Sequence, residues 1–304
     1  FAVAQNKYVY IYDKTGMELH CLRNHMKPQR LDYLPYHYLL VSIGETGYLK
    51  YLDVSTGKLV AELRTRKGSC SVMRQNPYNA IMNCGHSNGV VTMWSPNMST
   101  PCVQMFCHHG PVRALAVDRS GKYMVSTGSD GQMKIWDLRM YKMMDAYFTT
   151  TPASSLDISQ RDLLAVGYGP HVQIWKDVFS GQKQKKPYMR HQLPGSQVSN
   201  LRFRPFEDVM AIGHRTGISS MIVPGSGEPN YDAFDANPYE TTAQRREGEV
   251  KKLLDKLAPE MITLDSEMLP GAVDRAPAEI IARERRVAME ARGEKMPPKK
   301  QKKK

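Results

Sequence analysis

The chain lacks any apolar run approaching the ~20 residues a membrane-spanning helix needs, so that architecture is excluded. It is poor in cysteine. The five present (Cys21, Cys70, Cys84, Cys102 and Cys107) are odd in number and follow no framework spacing. That argues against a disulfide scaffold and suits free thiols in a reducing compartment, cytosol or nucleus. There is no secretory signal, and the chain opens on Phe1 in mid-strand, so it reads as the ordered portion of a longer protein. Also missing are an H-E-x-x-H zinc motif, a pair of acidic residues in a catalytic setting and a dinucleotide fingerprint. The glycine-rich Gly225-Ser226-Gly227-Glu228 has neither the lysine nor the following helix of a phosphate loop, and reads as a turn. These absences point away from catalysis, cofactor or small-molecule substrate.

What is present is ordinary in bulk and biased in charge. The 304 residues are 41% hydrophobic and 24% charged, as expected of a soluble globular protein with a buried core. Lys and Arg number 42 against 30 Asp and Glu, a formal net charge of +12 that favours phosphate-rich or acidic partners. Part of the excess is terminal, because residues 295–304 hold lysines and no acid.

The strongest signal is a repeat. Its fullest copy runs from His108 to Asp137, with alternating apolar positions broken by the turns at 118–122 and 129–131. A glycine closes the second strand of each unit: Gly44, Gly85, Gly128, Gly167 and Gly213, successively 41, 43, 39 and 46 residues apart. Ala4 takes that place 40 residues before Gly44. Only three tryptophans occur, and Trp94, Trp136 and Trp175 fall at corresponding points of consecutive units. A period of about 40–45 residues with four strands per unit is propeller spacing, and the two-residue alternation excludes helical solenoids. Six units are visible, the first without its innermost strand, and ring closure predicts a seventh blade with an N-terminal part missing here, a six-bladed ring being the alternative.

The unit resembles a WD repeat. His108, Thr127, Asp130 and Trp136 match that family's structural tetrad, in which indole, hydroxyl, imidazole and carboxylate bond in series. The tetrad accounts for His108, Thr127 and Asp130 without a substrate, and so outweighs a nucleophile–base–acid triad. Trp175 has no evident tetrad Asp, and the Gly213 unit ends without Trp, so those blades should rely more on packing. Cys102, Cys107, His108 and His109 are a poor zinc set, since strand residues five apart face opposite sides and His108 belongs to the tetrad. The insertion after Trp175 carries Lys183, Lys185, Lys186 and Arg190, candidate contacts for RNA phosphate or a partner. Ile135-Trp136-Asp137-Leu138-Arg139 contains the W-D-x-R pattern that, in some WD-repeat proteins, resembles the docking signature of cullin-RING ligase substrate receptors.

Past residue 228 the repeat stops. Residues 230–240 form an aromatic strap anchored by Tyr231, Phe234 and Tyr239. Thr241 and Gln244 then set a capping box for a helix from about Thr242 to Leu257. Val250, Leu253, Leu254 and Leu257 make its apolar stripe. Arg245, Arg246, Lys251, Lys252 and Lys256 cover the rest. A second, charged helix is expected over about 278–292, with a thin stripe of Ile281, Ala288 and Ala291. Three regions result: 1–228 propeller, 229–265 strap and helix, 266–304 charged helical segment and basic tail.

The run Gly217-Ile218-Ser219-Ser220-Met221-Ile222-Val223-Pro224-Gly225-Ser226-Gly227-Glu228-Pro229-Asn230-Tyr231-Asp232 closely resembles one family's C-terminal domain, as do 237–240, 244–250, 253–257 and 259–265. That family is the WD-repeat subunit of the small-subunit processome, U-three-protein seven or WD-repeat protein forty-six. The resemblance implies a nucleolar, non-catalytic scaffold that supports pre-rRNA processing and small-subunit assembly. Its partners would be other processome proteins, neighbouring WD-repeat subunits among them, with pre-rRNA and a box C/D guide RNA. Lys299, Lys300, Lys302, Lys303 and Lys304 would contact RNA or partners and serve as a nuclear or nucleolar address. The rival reading is a substrate receptor of a cullin-RING ubiquitin ligase, resting on Arg139.

Overall fold

A computed structural model describes residues 1–181, 183–229 and 239–264. Six antiparallel sheets follow one another along the chain. The first holds β1 (Ala2–Ala4), β2 (Val9–Tyr12) and β3 (Glu18–Leu22). The second holds β4 (Pro28–Leu34), β5 (Leu39–Gly44), β6 (Tyr48–Asp53) and β7 (Leu59–Arg64). The third is β8 (Cys70–Gln75), β9 (Met82–His86), β10 (Val90–Trp94) and β11 (Val103–Phe106). The fourth is β12 (Val112–Val117), β13 (Tyr123–Gly128), β14 (Gln132–Asp137) and β15 (Lys142–Phe148). The fifth is β16 (Ser155–Ile158), β17 (Leu164–Tyr168), β18 (His171–Trp175) and β19 (Met189–Gln192). The sixth holds β20 (Val198–Phe203), β21 (Val209–His214) and β22 (Gly217–Ile222). Each sheet is a meander whose strands pair in sequence order, and the first strands of the second to sixth sheets stand side by side. This is the blade arrangement of a β-propeller, with six blades among the described residues and the first lacking its innermost strand.

Position in the blade decides exposure. The second strands β5, β9 and β17 are buried at every residue, because each is covered by a sheet on both faces. Outer strands such as β3 and β19 face solvent at most positions. In the sixth sheet β21 is only partly buried, in keeping with a neighbour on one side only among the described residues. The cores lie between blades. One joins Tyr51, Met82, Trp94, Leu115 and Trp136 of the second, third and fourth sheets, and others join the fourth to the fifth and the fifth to the sixth.

Four of the five glycines that mark the repeat, Gly44, Gly85, Gly128 and Gly167, have a steric reason, whereas a Cβ on Gly213 would meet nothing closer than 3.6 Å. A Cβ on Gly85 would sit 2.8 Å from Cγ1 of Val112, on the next blade's inner strand, and one on Gly128 would sit 2.6 Å from Cγ of His108. Only a residue without a side chain lets the second strand approach that closely.

Polar side chains stitch the inner strands across blades. The Gln75 amide donates to Asp32 Oδ2 (3.1 Å), Arg74 Nε donates to the Leu115 carbonyl (3.3 Å), and the Phe203 amide donates to Asp157 Oδ2 (2.7 Å). Arg202 is exposed, as strand alternation places it, and pairs with Asp157 at 3.5 Å beside a cleft of about 210 Å³.

Candidate interaction surfaces

The buried hydrogen-bond relay of the fourth blade differs from the sequence expectation at one member. Trp136 Nε1 donates to Ser126 Oγ (2.9 Å), and Ser126 Oγ lies 2.8 Å from His108 Nε2. His108 Nδ1 reaches both Asp130 oxygens at 3.1 Å. The hydroxyl is therefore Ser126 and not Thr127. Strand parity explains it: Trp136 pairs with Met124, and residues two apart share a face, so Ser126 lies on the indole side. Thr127 faces the other way, its hydroxyl 3.4 Å from the Ala114 and Ala153 carbonyls. Burial pulls His108 below its usual pKa against the pull of Asp130, so the neutral ring accepts from Ser126 and donates to the carboxylate.

Other blades carry shortened versions that the sequence reading missed. Trp94 Nε1 donates to Thr92 Oγ1 (2.8 Å), which sits 2.7 Å from His86 Nε2. His25 Nδ1 contacts Ser42 Oγ at 2.5 Å, and His214 Nε2 contacts Ser219 Oγ at 2.8 Å. The signal was a histidine beside the glycine or in the turn before the inner strand, with a hydroxyl on the adjoining strands. Trp175 instead packs at a tilt against Tyr147 of the fourth blade, ring centroids 5.0 Å apart and planes at 53°.

The chain leaving β22 is tied to the turns that join the first and second strands of the fourth to sixth blades. Asp208 accepts from the amides of Gly225 (3.0 Å) and Gly227 (2.8 Å), and Gln160 Oε1 accepts from Phe206 (2.7 Å) and Glu228 (3.2 Å). Arg119 pairs with Glu228 at 3.2 Å. Gly225–Glu228 is thus a fastened turn. Tyr239 donates its hydroxyl to Glu207, while Tyr231 and Phe234 lie outside the described residues. Helix α1 (Thr242–Leu254) follows, with the expected capping box at Thr241 and Gln244 and an end at Asp255 rather than Leu257.

Residues 256–264 then clamp the second and third blades together. Lys256 Nζ lies 2.5 Å from Asp53 Oδ2 and 2.7 Å from Ser55 Oγ. Burial works to raise the Asp53 pKa, but Lys256 and the Ser55 donors outweigh it and hold the carboxyl at about 2. The Leu257 amide donates to the Tyr36 carbonyl (3.0 Å), and His37 Nδ1 donates to the Leu257 carbonyl (3.3 Å). After a single 3-10 turn (Pro259–Met261), the Ile262 carbonyl accepts from Ser95 Oγ (2.6 Å) and Asn97 Nδ2 (3.2 Å). Ile262 itself is buried in the core cluster that holds Trp94, and Leu264 packs against it. Lys256 was read from sequence as helix surface; its partner lies 203 residues away, and no local pattern announces it.

The basic candidates fall into separate places. Lys183 is engaged, its Nζ donating to the Ala146 carbonyl (2.7 Å) and lying 5.2 Å from the Tyr147 ring centre. Lys185, Lys186 and Arg190 are exposed on the fifth blade. Arg245, Arg246, Lys251 and Lys252 are exposed on α1. Arg139 makes a two-pronged pair with Asp137 (2.8 and 3.1 Å) and stacks 5.6 Å from the Tyr123 ring centre. Lys299, Lys300, Lys302, Lys303 and Lys304, with the expected 278–292 helix, lie outside the described residues. Among the described residues no three His, Cys, Asp or Glu side chains cluster as metal ligands; Cys107 and His108 are both buried, and His108 is bonded within the relay.

Comparison with known proteins agrees with this geometry. The model of the BING4CT (NUC141) domain matches residues 187–265, from the outer strand of the fifth blade through the clamp, and that of the WD domain, G-beta repeat, matches 100–137. The U3 small nucleolar RNA-associated protein 7 of Saccharomyces cerevisiae is 51% identical over 290 residues, 90% of this chain and 52% of that protein. WD repeat-containing protein 46 of Homo sapiens is 49% identical over 271 residues, 88% of this chain and 44% of that protein. The chain thus spans about half the length of the curated relatives it matches. A chain in the crystal structure of a mitotic checkpoint complex superposes with a TM-score of 0.64 at 18% identity, covering 76% of this chain and 74% of that one, which speaks to fold alone.

Two outcomes follow. Ser126→Ala strands the Trp136 and His108 nitrogens together and should cost about 2–4 kcal/mol in urea unfolding, against about 1 kcal/mol or less for Thr127→Val. Acid should also destabilise the fold. Burial, with Lys50 near His25 and Lys67 near His86, pushes both rings from 6.5 down to about 4. The unfolded chain therefore binds two protons that the folded one refuses, and stability present above pH 6.5 is lost as pH falls toward 4, on the order of 3 kcal/mol per ring. Asp162, raised to about 6 by burial and by Asp118, works in the opposite sense over part of that range, leaving a net loss. Melting temperature measured from pH 7.5 to 4.5 should fall, and a flat profile would contradict the assignment.

Proposed function

The chain belongs to the WD-repeat family of U3 small nucleolar RNA-associated protein 7 and WD repeat-containing protein 46, and from that premise we propose that it is a scaffold subunit of the small-subunit processome. In this reading it supports pre-rRNA processing and small ribosomal subunit assembly in the nucleolus, holding proteins and RNA rather than catalysing a reaction. The observation that carries the proposal is the 51% identity to the yeast protein across 90% of the chain, which takes in both propeller and clamp.

The physical features favour holding. In the fourth blade the buried polar side chains are bonded to one another through the Trp136–Ser126–His108–Asp130 relay, which gives His108 and Ser126 a structural role. A stiff ring with a fastened C-terminal segment keeps separate contact surfaces at fixed spacing, so that several weak contacts sum to a strong one. Exposed Lys185, Lys186 and Arg190 on the fifth blade, and Arg245, Arg246, Lys251 and Lys252 on α1, are the proposed contacts to RNA phosphate or acidic partners. The basic tail adds Lys299, Lys300, Lys302, Lys303 and Lys304. Lys183 contributes to loop position instead, through its bond to Ala146. The ligase-receptor alternative rests on Arg139, whose guanidinium is already held by Asp137 and Tyr123.

Affinity purification of the intact protein, followed by sequencing of co-purified RNA, tests the reading. Pre-rRNA and a box C/D guide RNA should be enriched, and binding of the purified protein to RNA should weaken steeply between 50 and 200 mM salt if phosphates are the ligand. Recovery without either RNA would defeat it.

A further inference from the structure

Acidic residues are spread unevenly along this chain. Between Glu62 and Asp118 no Asp or Glu occurs, a stretch that includes the whole third blade. The fold brings Arg66, Lys67 and Arg113 of that stretch to one end of the ring. Strands alternate in direction within a blade, so the links between blades share an end with the turns between second and third strands. Inner strands run level, since Ser71 Oγ donates to the Val112 carbonyl and Arg74 Nε to the Leu115 carbonyl, each 41 residues ahead. Backbone bonds then join the turns of that end in a row. The Ser87 amide donates to Ser69 (3.1 Å), His108 to Gly89 (3.1 Å), Ser129 to Pro111 (3.0 Å) and Thr149 to Gly131 (2.8 Å). Residues 225–228 and 256–262 bond to turns of the opposite end.

Along this row cations alternate with exposed rings. Arg66 and Lys67 lie in the first link. Phe106 follows, 59% exposed and edge-on to His109 with ring centroids 5.3 Å apart, then Arg113, then Phe148, 79% exposed. Arg66, Lys67 and Arg113 lie in no ion pair among the described residues. Four acids border the row, and each is engaged or turned away. Glu45 pairs with Lys27 (3.1 Å), Glu62 with Lys50 (2.9 Å) and Asp130 with His108 (3.1 Å). Asp145 sits opposite Ile135, on the face packed against the fifth blade.

This spacing selects the ligand. Protein interfaces collect apolar anchors at a dry centre inside a polar rim, whereas here single rings stand between cations. A duplex hides the faces of its bases. An unpaired strand offers a flat base to each ring and a phosphate to each cation. We infer that the turns of the third and fourth blades form a binding track for single-stranded nucleic acid, RNA in the scaffold reading, with phosphates on Arg66, Lys67 and Arg113 and bases stacked on Phe106 and Phe148. The inference goes beyond that reading, which puts its RNA contacts on the fifth blade, α1 and the tail.

Fluorescence anisotropy of the full chain with a labelled oligouridylate of about twelve nucleotides reads the affinity, and its slope against log salt reads the phosphates engaged. The tail and the fifth-blade loop are the same in every variant and cancel from the comparison. Arg66→Gln with Lys67→Gln should weaken binding about tenfold and flatten the slope by about 1.4, while Phe148→Ala should weaken it about fivefold with the slope unchanged. Because Phe148 is exposed, melting temperature should not move in that variant. With an RNA duplex or polyglutamate as the probe, Phe148→Ala should change nothing. Native affinity in both variants, a slope change in Phe148→Ala, or an equal Phe148→Ala loss with duplex or polyglutamate overturns the inference. Should the variants bind as the native chain does while guide RNA still co-purifies with the intact protein, this inference falls and the scaffold reading stands.

Discussion

No blade of this ring owns a complete core. The second strands are buried because a neighbouring sheet lies against each face, and the apolar clusters run between sheets rather than inside one. Side-by-side packing is therefore the constraint on which everything else rests. It requires glycine where Gly85 meets Val112 and Gly128 meets His108, and it dries the histidines that must then find hydroxyl partners. Bonds such as Asp32 to the Gln75 amide and Asp157 to the Phe203 amide fix neighbours in register, so the blades carry load as a unit.

The C-terminal segment uses that rigidity. Residues 256–264 bridge the second and third blades by burying Ile262 and bonding backbone carbonyls to Ser95 and Asn97. The family domain that matches 187–265 thereby includes part of the ring and the strap that grips it, which explains why it does not coincide with the end of the repeats. Helix α1, which precedes this segment, buries none of its own residues.

The repeat, its four-strand grain and the capping box were legible because each rests on near neighbours: a period of two along strands, Thr241 three residues from Gln244, a glycine about every 40 residues. What sequence misassigned depended on parity or distance. Ser126 and Thr127 are equally good hydroxyls until the pairing of Trp136 with Met124 decides which one faces the indole. Lys183 looked like a free cation until the insertion folded onto Tyr147. Asp53 and Lys256 gave no hint of each other, since only the closed ring brings them together. The stripe of Val250, Leu253, Leu254 and Leu257 was visible, but its exposure was not, since helical spacing alone does not say whether a face is covered.

Hydrogen exchange of the intact protein tests the central claim most directly, that packing between blades grips the C-terminal segment while α1 stays outside it. The account predicts that the amides of β5, β9, β13 and β17 exchange slowest, that Leu257 and Ile262 approach them in protection, and that α1 amides exchange orders of magnitude faster. Clamp amides exchanging as fast as those of α1, or α1 protected as well as the ring, would contradict it.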